Sequence, residues 1–158
     1  MLMRRATADD AEVVAEISTT SRHAAMPTIR WPHSAEEDRR WVANILLPND
    51  EVWVAEEGGV VLGFLALHRD RHGDWVSQLY LKPGHWRQGI GTALMAHAKA
   101  LRPDGLRLYC FQVNARGRAF YERHGFTVER MGDGSLNEEG EPDILYVWAG
   151  DSVQKRNY

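Results

Sequence analysis

"LYLKPGHWRQGIGTALMAHAKA", residues 79–100, is where the chain changes character. Strand-forming residues stop at Lys82 and Pro83, and a short loop follows. Gly89 and Gly91 then open a segment in which Ile90, Leu94, Ala98 and Leu101 recur at helical spacing. Glycines at a strand–loop–helix junction have an elementary use. The first four N–H groups of a helix lack intrahelical partners, and the macrodipole adds partial positive charge there. With no Cβ in the way, a phosphate can reach those donors. The competing explanation is that glycine lets the helix pack closely on a sheet, and for an isolated Gly-x-Gly that explanation is the stronger. Two other phosphate motifs do not fit. A G-x-G-x-x-G fingerprint needs glycine where Leu94 stands, and no Gly-Lys-Ser/Thr run closes a P-loop.

Working outward, the periodicities predict a mixed α/β chain. Residues 2–6 read as a first strand. Thr7 reads as the N-cap of a helix with Asp9 and Asp10 in its first turn and Ala11, Val14, Ile17 and Ser18 on one face. "AAMPTIRWPH" (24–33) is irregular. Ser34 and Glu37 form a capping box before a second helix carrying Trp41, Val42, Ile45 and Leu46, with Pro48 just beyond its end. "EVWVAEEGGVVLGFLAL" (51–67) is two apolar, β-branched runs about a Glu-Glu-Gly-Gly turn, a β-hairpin. "DWVSQLYL" (74–81) is the next strand. After the 89–101 helix come the strand "GLRLYCFQV" (105–113), a helix from Asn114 to Gly125, the strand "FTVERM" (126–131) and the strand "DILYVW" (143–148). Early hairpins and later crossover helices predict one central sheet, mostly antiparallel, of about six to seven strands with about four helices.

The 158 residues fit a single domain, over 1–150, with a polar tail over 151–158. With 44% hydrophobic and 26% charged residues the composition is that of a soluble globular protein. A net charge of −3 gives no electrostatic footprint for nucleic acid. No apolar stretch reaches the roughly 20 residues of a membrane span, and the N-terminus has no signal-peptide core. The lone Cys110 cannot form an intramolecular disulfide, which suits a reducing cytoplasm; in its apolar run it reads as a buried structural thiol. The seven histidines show no ligand spacing, so no metal is expected.

Taken together, these stretches resemble the GNAT superfamily of acyl-CoA-dependent N-acetyltransferases. The family's pyrophosphate loop, Q/R-x-x-G-x-G/A after a Leu-Tyr-Val strand and a proline, matches Leu79-Tyr80-Leu81, Pro83 and Trp86-Arg87-Gln88-Gly89-Ile90-Gly91. About 25 residues on, "NARGRAFYERHGF" matches N-x-x-A-x-x-F-Y-x-x-x-G-F, with Gly117 where alanine is usual. The hairpin resembles the family's central V-A-E-x-x-G-x-V-V-G-F pair, so the likeness runs from about residue 2 to 149. One departure is plain: Trp86 stands where the loop usually begins with Gln or Arg.

The resemblance implies a single-domain GNAT fold and transfer of acetyl from acetyl-CoA to a primary amine by direct attack in a ternary complex. It implies cofactor contacts from Leu79, Tyr80, Leu81, Arg87, Gln88, Gly89, Ile90, Gly91, Thr92, Asn114, Phe120 and Tyr121. The oxyanion donor would be a backbone N–H of the 79–81 strand, and Tyr121 the catalytic proton donor to the leaving thiolate. The general base stays open. The nearby strand position is Gln78, which cannot take a proton; Glu36, Glu37, His23 and His33 are the side-chain alternatives, and deprotonation through water by several weak acceptors is another. The loop "MGDGSLNEEGEPD" (131–143) holds Asp133, Glu138, Glu139, Glu141 and Asp143 without a cation. It suits a cationic amine acceptor, or is simply a solvated loop. A homodimer is among the assemblies the resemblance allows. The alternative to an enzyme is a GNAT-fold module that holds acyl-CoA without turnover.

Overall fold

The computed structural model describes residues 1–151; the expected polar tail therefore lies, but for Asp151, outside the described residues. The elements are β1 (Leu2–Arg5), α1 (Ala11–Ala25), α2 (Ala35–Trp41), α3 (Leu47–Asn49), β2 (Glu51–Glu57), β3 (Val60–Asp70), β4 (Gly73–Leu81), α4 (Ile90–Leu101), β5 (Leu106–Phe111), α5 (Ala115–Arg123), β6 (Thr127–Met131) and β7 (Asp143–Trp148). A 3₁₀ turn at Ala8–Asp10 leads into α1. There the Asp10 carboxylate accepts from the Thr7 N–H at 2.8 Å and pairs with Arg4 at 2.9 Å, so its place owes more to a specific ion pair than to the helix dipole.

The seven strands lie in the order β1-β2-β3-β4-β5-β7-β6. Every pairing is antiparallel except β4 with β5. β3 is buried on both faces from Val61 to Leu67, as its unbroken apolar run requires of a central strand. On one face α1 and the α2–α3 segment pack Val14, Ile17, Val42 and Leu46 against Val52, Val54, Phe64 and Ala66. On the other, α4 sets Ile90, Leu94, Met95 and Ala98 against Leu65, Leu67 and Val76, continuing to Phe126, Tyr146 and Trp148. Each Val, Leu, Ile, Phe or Met side chain among these contributes roughly 1.5–3 kcal/mol when fully withdrawn from water.

Pro48 lies inside the second helical segment, not beyond it. A π turn over Val42–Leu46 takes the Leu47 N–H to the Val42 carbonyl, and the Asn49 side-chain amide covers the Ile45 carbonyl at 2.7 Å. The shifted ladder accommodates a residue that has no N–H to give.

The feature that makes room for a site is the β4–β5 junction. These parallel strands share a single register pair, Trp75 with Arg107, and then part. Beyond it, Ser77–Leu81 of β4 and Leu108–Phe111 of β5 face each other across a wedge. Lys82 N–H donates to the Leu62 carbonyl of β3 at 2.8 Å. Since peptide direction alternates along a strand, Leu81 and Leu79 turn their amides away from β3 and into that wedge.

Candidate active site

The wedge widens into a cleft of about 690 Å³. Its walls are β4, β5, the loop before α4, the face of α5, the end of α1 at Ser21, Ala25 and Met26, and the loop at Gly132–Asn137. Of the sequence-derived cofactor residues, Leu79, Tyr80, Leu81, Arg87, Gly89, Gly91, Thr92, Asn114, Phe120 and Tyr121 all line it. Two do not. Ile90 buries its side chain in the core, and Gln88 turns its carboxamide oxygen to His85 Nδ1 at 3.3 Å. What Ile90 can present is its backbone.

The loop into α4 is shaped by left-handed residues: Gly84 at φ 89°, Arg87 at φ 63° and Gly89 at φ 81°. Gly89 caps α4, and its carbonyl takes the first helical bond, from Ala93 N–H at 3.0 Å. The amides of Ile90, Gly91 and Thr92 are thus free of intrahelical partners at the positive end of the dipole. The two glycines divide the labour. A Cβ on Gly89 would meet nothing within 4 Å but would sit on a left-handed backbone, whereas one on Gly91 would press the Phe120 ring at 3.2 Å. Gly89 sets conformation and leaves open space; Gly91 lets α4 approach α5.

Asn114 both caps and lines the cleft. Its Oδ1 accepts the Gly117 N–H at 3.0 Å. A Cβ at Gly117 would lie 2.4 Å from the Asn114 amide nitrogen, which accounts for glycine where the family motif has alanine.

Tyr121 stands deeper in α5, edge-on to Phe120 at 5.4 Å and 6.1 Å from the Tyr146 ring. Burial, with Cys110 and Tyr80 nearby, pushes its hydroxyl well above the ordinary phenol value, so it carries its proton at neutral pH. Burial likewise pushes the Cys110 thiol up to about 12. That thiol lines the cleft yet stays protonated, which removes it as a nucleophile.

The four alternatives for a general base are not in the cleft, which Gln78 lines. Glu37 is occupied in the capping box with Ser34, and His23 lies against Trp31. His33 bridges Glu37 at 3.2 Å and Glu138 at 3.0 Å, tying the start of α2 to the acidic loop. Of that loop, Asp133 and Asp143 line the cleft, while Glu138, Glu139 and Glu141 do not. Nor is the loop a loose one. The Asn137 side chain exchanges hydrogen bonds with the Glu141 backbone at 2.8 and 3.2 Å, and Gln112 donates to the carbonyls of Gly132 and Asp143. The Asp133 carboxyl is held below its usual range by bonds from Ser135, so it is an anion at neutral pH.

Sequence reasoning missed Ser77. A bulge between Ala66 and Leu67 of β3 skips it, and its hydroxyl donates to Asp50 at 2.6 Å at the cleft wall. Nothing in an alternating strand pattern marks such a residue. Among the described residues, no group of three or more His, Cys, Asp or Glu is placed to hold a metal ion, and no helix is long and apolar enough to cross a membrane.

A split parallel pair beside a helix N-terminus, with an α5 tyrosine between them, is the arrangement of an acyltransferase cleft. The chain belongs to the GNAT acetyltransferases: residues 48–128 match the acetyltransferase (GNAT) domain family. It is similar to the peptidyl-lysine N-acetyltransferase YiaC of Escherichia coli, 31% identical over 62% of this chain and 68% of that protein. It is also similar to the peptidyl-lysine N-acetyltransferase YjaB of Salmonella typhimurium, 32% identical over 61% of this chain and 62% of that one. The fold is shared with the PaiA N-acetyltransferase of Thermoplasma acidophilum in complex with coenzyme A, at a TM-score of 0.73 and 22% identity over 94% of this chain and 98% of that chain.

Proposed function

We propose that this chain transfers an acetyl group from acetyl-CoA to a primary amine, by direct attack within a ternary complex. The observation that carries the reading is the wedge itself. Unpaired β4 amides and a helix N-terminus line one continuous cleft, suited to a thioester at one end and a diphosphate at the other. Acetyl-CoA lies with its diphosphate on the amides of Ile90, Gly91 and Thr92 and its pantetheine arm along β4. The thioester oxygen accepts from a β4 amide at Leu79 or Leu81, a donor already fixed before charge develops. Tyr121, protonated at neutral pH, gives its proton to the departing thiolate. Holding amine and thioester together supplies up to about 7–11 kcal/mol of the barrier in favourable cases.

The acceptor is the ε-amine of a lysine in a peptide. Supporting this are the two relatives named for peptidyl-lysine and the cleft carboxylates Asp133 and Asp143, which attract an ammonium group. That group, with an ordinary pKa near 10.4, must lose a proton before it attacks. The test is thiol release from acetyl-CoA with lysine peptides, peptide N-termini, polyamines and free amino acids. Lysine peptides should stimulate release most. Acetyl-CoA binding without stimulation by any amine would instead make the chain a binding module, the reading that Gln78 favours.

A further inference from the structure

We propose that Arg116, presented by Trp86, binds a phosphate group of the cofactor; this rests on the acetyl-CoA reading above. The Arg116 guanidinium lies 3.9 Å from the Trp86 ring centroid, and both residues line the cleft. The contact joins the loop before α4 to the first turn of α5 across the cleft mouth. Two things about it call for an anion. Arg116 sits in the first turn of α5, where the dipole disfavours a cation and no acidic residue offsets it. No ion pair among the described residues includes Arg116. A fixed cation beside a helix N-terminus, facing the unpartnered amides of a second one, is completed by phosphate.

The same contact explains the departure at the head of the loop motif. Trp86 offers a flat face on which a guanidinium is held in one orientation. The stacked pair also anchors the residue before Arg87, whose left-handed backbone needs outside support. Trp86 is thus a positioning residue, and Arg116 the residue that touches the ligand.

Calorimetric titration with CoA tests this without requiring turnover. Arg116→Gln, an exposed polar exchange, should raise the Kd about tenfold or more. It should also flatten the dependence of affinity on salt, which a merely structural role would leave alone. Trp86→Leu should weaken binding similarly, Trp86→Phe should recover most of it, and the Arg116→Gln/Trp86→Leu double variant should cost much less than the two combined. With 3′-dephospho-CoA, a persisting Arg116→Gln penalty assigns the contact to the diphosphate, and a vanishing one to the 3′-phosphate. A Kd for Arg116→Gln within twofold of the parent, or an unchanged salt slope, overturns the proposal. Failure of the parent chain to bind CoA would instead overturn the acetyl-CoA reading on which it rests.

Discussion

Removing the Tyr121 hydroxyl separates chemistry from binding with little structural disturbance. Among the described residues no side chain is hydrogen-bonded to its oxygen, and the ring is held by Phe120, Phe126 and Tyr146. Phenylalanine keeps that packing and leaves no protein group unsatisfied. Stability should therefore change by less than about 1 kcal/mol, or roughly 2–4 °C in melting temperature for a chain of this size. The chemical step should change far more. A positioned general acid is worth about 10²–10⁴-fold, equivalent to about 2.7–5.4 kcal/mol at 1.36 kcal/mol per decade. Steady-state thiol release should show kcat falling by that factor, with the KM for acetyl-CoA within about threefold of the parent. The pH dependence sharpens the test. Burial raises the Tyr121 pKa, so the acid form persists up to and beyond the ordinary phenol value near 10. The parent enzyme should lose no activity through Tyr121 ionisation below that pH. If Tyr121→Phe retains kcat within twofold from about pH 6 to 9.5, the tyrosine has no part in the mechanism.

Gly89→Asp should weaken acetyl-CoA binding at least tenfold, since it combines left-handed backbone strain of about 1–2 kcal/mol with negative charge on the loop proposed to hold the diphosphate; an unchanged Kd by calorimetry would refute the phosphate cradle. Leu94→Ala, at a fully buried position of α4, should cost about 2–5 kcal/mol in urea denaturation. His33 should titrate above its ordinary value of 6.5 in an NMR series, because Glu138 and Glu37 favour its charged form. Glu138→Gln should lower that value. The bridge's contribution is then complete below the ordinary histidine value and fades as pH rises through the raised one, loosening the acidic loop in alkali.

The parts of the fold written in local chemistry were legible. The Ser34–Glu37 capping box, the hairpin about Gly58 and Gly59, and Asn114 capping α5 each depend on a few adjacent residues, and each appears as read. The start of α4 at the two glycines was legible for the same reason. What escaped depends on residues far apart in the chain. The parting of β4 from β5 requires knowing that Trp75 meets Arg107 and nothing beyond does. The base candidates Glu36, Glu37, His23 and His33 sit in the right region of sequence yet outside the cleft, because the 24–33 segment has no periodicity from which direction could be read. Pro48 misled as a helix stop, since a π turn absorbs it. Trp86 read as a lost polar group, and only the fold brings it to Arg116, thirty residues away.

The single rung between Trp75 and Arg107 has a thermodynamic consequence of its own. It leaves β1–β4 and β5–β7–β6 joined along one line, so the two halves of the sheet share little of the cooperative ladder that usually spreads stability evenly across strands. Peptide groups on the facing edges, Leu79 and Leu81 among them, have no partner strand across the gap. They should exchange hydrogen for deuterium quickly there, and slowly once a ligand occupies the gap. A molecule bridging both edges then acts as the missing rungs, and its concentration sets the melting temperature as surely as any core residue does.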